Sequence, residues 1–351
     1  MSVINEIYTA SLIHIRVSPT FAKAAFCFGE NTGAGLLPIE LLNPSGIFSS
    51  PEISFDLMQP YKTLRQQLDD IPLVEKNIER IMSVLMNHGQ IQVPHIRVKL
   101  TPDIRIYRAR PHDPQKMMET KKDVSYPPDP SMVKMGRANM RGNQVFYGAV
   151  HSKEVREGYL IAMQEASQIR YGWIPPIQTF TVSQWKPRRT LEIPTFVTSE
   201  VLASGMETAR EMYRRTEEML SALDLADQPR VRELLSVLHD EFTKEVNTVD
   251  DYLISAVFSS IIYQYGCGIS YPSKRSDYKA FNIAIPASNW EADFELLQCA
   301  VFQYHATGTD VIVRGFKNTI SLDEPFQWED THILGPLPFT PPEFQLHPYP
   351  L

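Results

Sequence analysis

Cysteine is scarce: the chain has three in 351 residues, Cys27, Cys267 and Cys299, far apart and outside any Cys-x-x-Cys or Cys/His cluster. That spacing argues against a disulfide framework and against a structural zinc, and it fits reduced thiols in the cytoplasm. A basic excess is also missing. The net charge is −7 with both signs interspersed, so there is no cationic stripe of the kind that meets nucleic-acid phosphate, and no direct nucleic-acid partner is expected. The first residues, MSVINEIYTASLIHIRV, lack a basic start followed by an apolar core and a cleavage site, so no secretory signal is expected. One stretch, residues 252–271, is free of charge for about the length of a membrane span, but serines and two glycines, Gly266 and Gly268, break it. It reads as a buried helix ended by glycine and followed by a strand, with no membrane partner.

Chemical signatures are missing in the same way. The nine histidines form no His-Glu-x-x-His and no pair at metal spacing, so no metal site is expected. The glycines of GENTGAG, residues 29–35, are followed by no P-loop lysine and sit in no strand-to-helix turn. GISYPS, residues 268–273, lacks the second glycine of a nucleophile elbow. No internal repeats or low-complexity tracts appear.

What is present is a globular composition, 43% hydrophobic and 10% aromatic, long enough for two domains or one large one. Leu64, Leu68, Ile71, Val74, Ile78, Ile81, Met82 and Leu85 recur at helical spacing, as one helix or as two broken at Pro72. We read residues 1–95 as a mainly helical N-terminal module that regulates access or assembly. Near Pro94 the texture changes to alternation, and VPHIRVKLTPDIRIYRARP reads as half-buried strands. Residues 178–185, 189–197 and 280–286 read likewise, and residues 153–169 read as a helix. Ser204 with Glu207, and Thr248 with Asp251, have capping-box spacing. The first opens a helical pair, residues 204–245, that has the character of an insertion into the domain spanning 96–335. A proline-rich tail, 336–351, ends the chain.

GRANMRGNQVFYGA, residues 136–149, reads as a tight turn feeding an aromatic strand, because Gly136, Asn139, Gly142 and Asn143 all tolerate positive φ. Alone, that arginine reads as a solvated charge on a surface hairpin. Taken in order, YRAR (107–110), YPP (126–128), this turn, IAMQE (161–165), GISYPS (268–273) and FNIAIP (281–286) resemble the RES domain family, named for an arginine, a glutamate and a serine. The resemblance covers about residues 104–290. It implies an α+β fold like that of ADP-ribosyltransferases and an activity that consumes NAD as a substrate, without a prosthetic group.

The resemblance assigns Arg137 to the family's turn arginine, followed by Ala138 where many members carry an aromatic, and by Asn139. Tyr147 matches the strand tyrosine, Glu165 the glutamate closing an Ala-x-x-Glu, Ser273 the serine, and Arg108 or Arg110 the upstream arginine. The lengthened stretch before Glu165 leaves Glu154 and Glu157 as rival glutamates. The chemistry suits these types. Guanidinium forks bind pyrophosphate oxygens, so Arg108, Arg110, Arg137 and Asn139 are cofactor-site candidates. A carboxylate at Glu165 stabilises an oxocarbenium-like centre. Tyr147 offers an aromatic face and Ser273 a hydroxyl. Each has a plainer reading: Arg108 and Arg110 as surface charges, Glu165 as a helix charge paired with Lys153 or Arg170, Tyr147 as core, Ser273 as a turn cap.

The resemblance thus implies nicotinamide–ribose cleavage by water or phosphate in a toxin-type enzyme with a cognate antitoxin partner. Transfer of ADP-ribose to a protein is the first alternative, and a nucleotide-sensing module without turnover the second. A homo-oligomer stays open.

Overall fold

The computed structural model describes residues 8–14, 62–86, 92–151, 158–167, 177–264, 268–307 and 310–330. The alternating segments form strands β1 (Tyr8–His14), β2 (Gln92–Leu100), β3 (Arg105–Pro111), β4 (Val145–His151), β5 (Ile177–Pro187) and β6 (Leu191–Thr195). Further along the chain come β7 (Ile269–Pro272), β8 (Phe281–Pro286), β9 (Phe294–Thr307), β10 (Asp310–Ser321) and β11 (Gln327–Asp330). They join one eleven-stranded sheet in the order β1-β2-β6-β7-β8-β4-β3-β5-β9-β10-β11. Every neighbouring pair is antiparallel except β6 with β7. The helices longer than one turn among the described residues are α1 (Leu64–Asp69), α2 (Ile78–Leu85), α3 (Gly158–Ala166), α4 (Glu207–Ser221), α5 (Gln228–Thr243), α6 (Leu253–Ile262) and α7 (Ala287–Asp293). The fold is α+β, with a mixed sheet.

The N-terminal periodicity resolves as two helices either side of Pro72, α1 opening on a capping box at Thr63. Their apolar faces are not self-contained. Leu68, Ile71, Ile78, Ile81 and Leu85 share one buried cluster with Met135 and Ala138 of the arginine turn and with Phe258 of α6. Arg65 of α1 also pairs at 2.6 Å with Glu241 of α5, whose side chain is fully buried, and Glu241 pairs on its other oxygen with Lys244. Residue 95 lies inside β2, whose partner on one side is β1.

Helices α4 and α5 occupy the expected insertion, but α4 starts differently from the expected capping box. Ser204 ends a 3-10 turn (Ser199–Ser204), and its hydroxyl donates to the Val201 carbonyl at 2.7 Å. Gly205, at φ 70°, redirects the chain, and Met206 precedes α4 without a side-chain cap. The Thr248–Asp251 box does form, and it caps the 3-10 turn that runs into α6. The charge-free stretch gives α6 and β7; no helix among the described residues is long and apolar enough to cross a membrane.

Alternation along β4 positions the candidate site. Val145 and Tyr147 pack towards the helical cluster and Ala149 towards α3, whereas Phe146 turns to the opposite face, against Trp185 and Trp290. The registers Tyr147↔Ala284 and Tyr271↔Asn282 carry the Tyr147 face across β8 to β7.

Candidate functional site

Helix α3 is apolar on the side that meets the sheet, with Leu160, Ile161, Ala162 and Met163 buried. That packing places Glu165, in its last turn, over the ends of β7 and β8. Glu165 Oε1 accepts from the Ser273 hydroxyl at 2.5 Å and from Asn282 Nδ2 at 3.0 Å. Arg275 Nη1 donates to the carbonyls of Gln164 (2.6 Å) and Glu165 (2.7 Å), satisfying acceptors that a helix end leaves open. The helix terminus and the turn after β7 are thereby fixed to one another. Ser273 also caps that turn, accepting from the Ser276 amide at 3.3 Å, as its plain reading expects.

The arginine turn closes through Gly136 and Asn139, the Gly136 amide donating to the Asn139 carbonyl at 2.9 Å. The Tyr147 hydroxyl accepts from the Ala138 amide at 2.8 Å and donates to Asn139 Oδ1 at 2.7 Å. Asn139 Nδ2 donates to the Lys134 and Met140 carbonyls, and the Tyr263 hydroxyl donates to the Ala138 carbonyl at 2.8 Å. Space is tight there. A Cβ at Gly136 would lie 2.6 Å from Asn139 Oδ1. Of the turn residues that tolerate positive φ, Gly142 uses it, at 81°.

Arg137 reaches the C-terminal end of α5. Its Nη1 donates to the Glu241 carbonyl at 3.1 Å and its Nη2 to the Lys244 carbonyl at 3.0 Å, with the guanidinium 5.3 Å from the centre of the Tyr252 ring. A cation there satisfies open carbonyls at the negative end of the helix. Tyr271 lies between this group and Glu165. Burial pushes its phenol well above the usual range, Tyr147 and Glu165 add to the rise, and Arg137 opposes it. Burial likewise raises the Tyr147 phenol, against the Ala138 hydrogen bond, so both tyrosines stay neutral.

Arg108 is set apart from these groups. It follows Ile106 on the β3 face that turns towards Phe146, its guanidinium 5.2 Å from that ring. Nη1 donates to the Tyr147 carbonyl at 2.9 Å, while Nε is buried with no partner. Burial, and then Arg110, hold this guanidinium below its ordinary range. Arg110 donates to the Asp123 carbonyl at 2.7 Å. On the Glu165 side β3 presents Tyr107, two positions before Ala109, which packs with α3.

The candidate residues therefore fall into three groups. Glu165 and Ser273 are in direct contact; Tyr147 and Asn139 are in direct contact beside Arg137; Arg108 and Arg110 lie across the sheet. Asn282 was not singled out from sequence, although a polar residue inside the apolar run FNIAIP was a usable signal. Glu154, Glu157, Lys153, Arg170, Cys27, Cys267 and the tail 336–351 lie outside the described residues. Cys299 is buried, which pushes its thiol up and away from reactivity. Among the described residues, no group of three or more His, Cys, Asp and Glu side chains is arranged to hold a metal ion. An open groove of about 400 Å³, lined by Pro111, His112, Ile177, Thr179 and Gln303 among others, contains none of the candidate residues. No family model matches the chain, and no curated protein matches it in sequence.

Proposed function

We propose that this protein cleaves the nicotinamide–ribose bond of NAD, with water or phosphate as acceptor. One observation carries the reading: the Ser273 hydroxyl from the turn after β7 and the Asn282 amide from β8 meet at Glu165 Oε1 at the end of α3, at 2.5 and 3.0 Å. The glutamate and the serine, in that order, are two of the three residues for which the RES family is named. In the proposed step the glycosidic C–N bond breaks and its electron pair leaves with neutral nicotinamide. Positive charge develops on the ribose, and the Glu165 carboxylate stabilises it. The incoming water or phosphate supplies the new C–O bond, and any proton it loses passes to solvent. Ser273 and Asn282 orient the carboxylate. Tyr147 contributes its ring, because its hydroxyl is engaged by the turn. Arg137 spends two of about five guanidinium N–H donors on α5, leaving the others for pyrophosphate oxygens.

The test is nicotinamide release from NAD by the full chain. Glu165→Gln should lower turnover by about 10²- to 10³-fold, roughly 3–4 kcal/mol, with the melting temperature held. Collapse in Glu154→Gln or Glu157→Gln with normal turnover in Glu165→Gln would move the role to another glutamate. A wild-type chain that binds NAD but releases no nicotinamide would leave a sensing module. Radiolabel from the ADP-ribose half fixed to protein would favour transfer. In a toxin-type setting, expression of the wild type should arrest bacterial growth and Glu165→Gln should not.

A further inference from the structure

Asp277 and Tyr278 are consecutive non-glycine residues in the left-handed region, at φ 50° and 62°. An aromatic residue rarely adopts that conformation, and it persists only where its surroundings hold it. The backbone here is closed on Ser273: the Tyr278 amide donates to the Ser273 carbonyl at 2.9 Å, and the Ser273 amide donates to the Ala280 carbonyl at 2.9 Å. The backbone of Tyr278 and that of Ser273 are therefore tied together in one closed turn.

The side chain of Tyr278 is gripped from three elements. Its hydroxyl donates to Glu200 Oε2 at 3.1 Å and accepts from Lys274 Nζ at 3.1 Å. The His239 ring of α5 lies 5.5 Å from its own, and His239 Nε2 meets the same Glu200 oxygen at 3.2 Å. His239 is buried, and its Nδ1 has no hydrogen-bond partner among the described residues. A neutral imidazole with its proton on Nε2, donating to Glu200, satisfies this arrangement. Glu200 precedes α4 and His239 belongs to α5, so two of the three contacts come from the segment between β6 and α6.

We propose that Tyr278 is a positioning residue for the Ser273–Glu165 pair. The Glu200, His239 and Lys274 side chains hold its ring and hydroxyl, keep the left-handed turn closed, and so aim the Ser273 hydroxyl at the Glu165 carboxylate. Its effect on turnover rests on the NAD-cleaving reading above; its effect on the carboxylate does not.

Tyr278→Phe removes the gripped hydroxyl and keeps the ring; Tyr278→Gly removes the grip and frees the backbone. In the full chain, Tyr278→Phe should lower kcat for nicotinamide release about tenfold, the scale of one lost orienting hydrogen bond, with KM for NAD within about twofold. Tyr278→Gly should fall at least as far; deleting a buried ring also lowers its melting temperature, so its kcat is read well below that midpoint. Carbon-13 carboxyl NMR, with the Glu165 signal identified through Glu165→Gln, should show that signal displaced in Tyr278→Phe, because the Ser273 hydroxyl no longer meets Oε1 in the same geometry. Unchanged kcat together with an unmoved Glu165 signal would overturn the proposal. An inactive wild type with a displaced signal would defeat the enzymatic reading and leave the positioning role standing.

Discussion

The Ser273 hydroxyl lies 2.5 Å from Glu165 Oε1, a contact between residues 108 positions apart in the chain. Arg275, two residues on, holds the carbonyls of Gln164 and Glu165 from the same turn. Side chain and backbone of the glutamate are thus both secured by the segment that carries the serine.

Ser273→Ala should leave Glu165 with Asn282 as its remaining side-chain donor. Under the proposed activity, kcat falls about tenfold, and adding Asn282→Ala lowers it by less than a further tenfold if the two donors act as a unit. Turnover of the single and double variants, with melting temperature as the fold control, measures this coupling. Strict additivity would show that the two residues act separately.

Tyr147→Phe leaves the Ala138 amide without its acceptor and Asn139 Oδ1 without its donor. The expected loss is about 1–3 kcal/mol of stability, read as a lower urea midpoint at unchanged slope. A midpoint equal to that of the wild type would mean that the hydroxyl is not what holds the turn.

Arg65→Met tests the connection between α1 and α5. Its partner Glu241 has no exposed side-chain surface, while Arg65 is 40% exposed. Solvent screening of Arg65 and the second partner, Lys244, reduce the expected loss to about 1–2 kcal/mol. Glu241→Gln in the same chain should restore part of it. Chemical denaturation of the two single variants and the double variant closes the cycle.

His239 gives a pH test. Burial lowers its pKa below 6.5, with Glu200 and Asp240 opposing that shift and Lys274 reinforcing it. Below about pH 6.5 the unfolded chain therefore takes up a proton that the folded one refuses, so stability falls as pH drops towards the lower folded value. Above about pH 6.5 the contribution is constant. In His239→Gln that part of the acid loss should disappear, and denaturation midpoints from about pH 5 to 7.5 read the difference. Parallel curves would mean that the imidazole titrates normally in the folded protein.

Local pattern made much of this legible. Alternation located β3, β5, β6 and β8, helical spacing located α1 and α2, and chain order brought Glu165 and Ser273 forward together. Alternation also implies that Tyr107 and Arg108 leave β3 on opposite faces, but a strand read alone does not say which face meets α3. Arg137 illustrates a second gap, since its acceptors lie 104 and 107 residues away on α5. The turn at Tyr278 illustrates a third: left-handed backbone on an aromatic residue has no signature in composition, and its contacts with the distant Glu200 and His239 form only in the folded chain.

The grip of α5 on Arg137 bears on how this chain can change over time. Trimming the segment between β6 and α6 to a short loop would strip Arg137 of both carbonyl partners and Tyr278 of the Glu200 and His239 contacts in one event. Arg65 would meanwhile lose the carboxylate it pairs with. Shortening that segment therefore removes contacts from three separate parts of the chain in one step, and α1, the arginine turn and the turn at Tyr278 are expected to respond together.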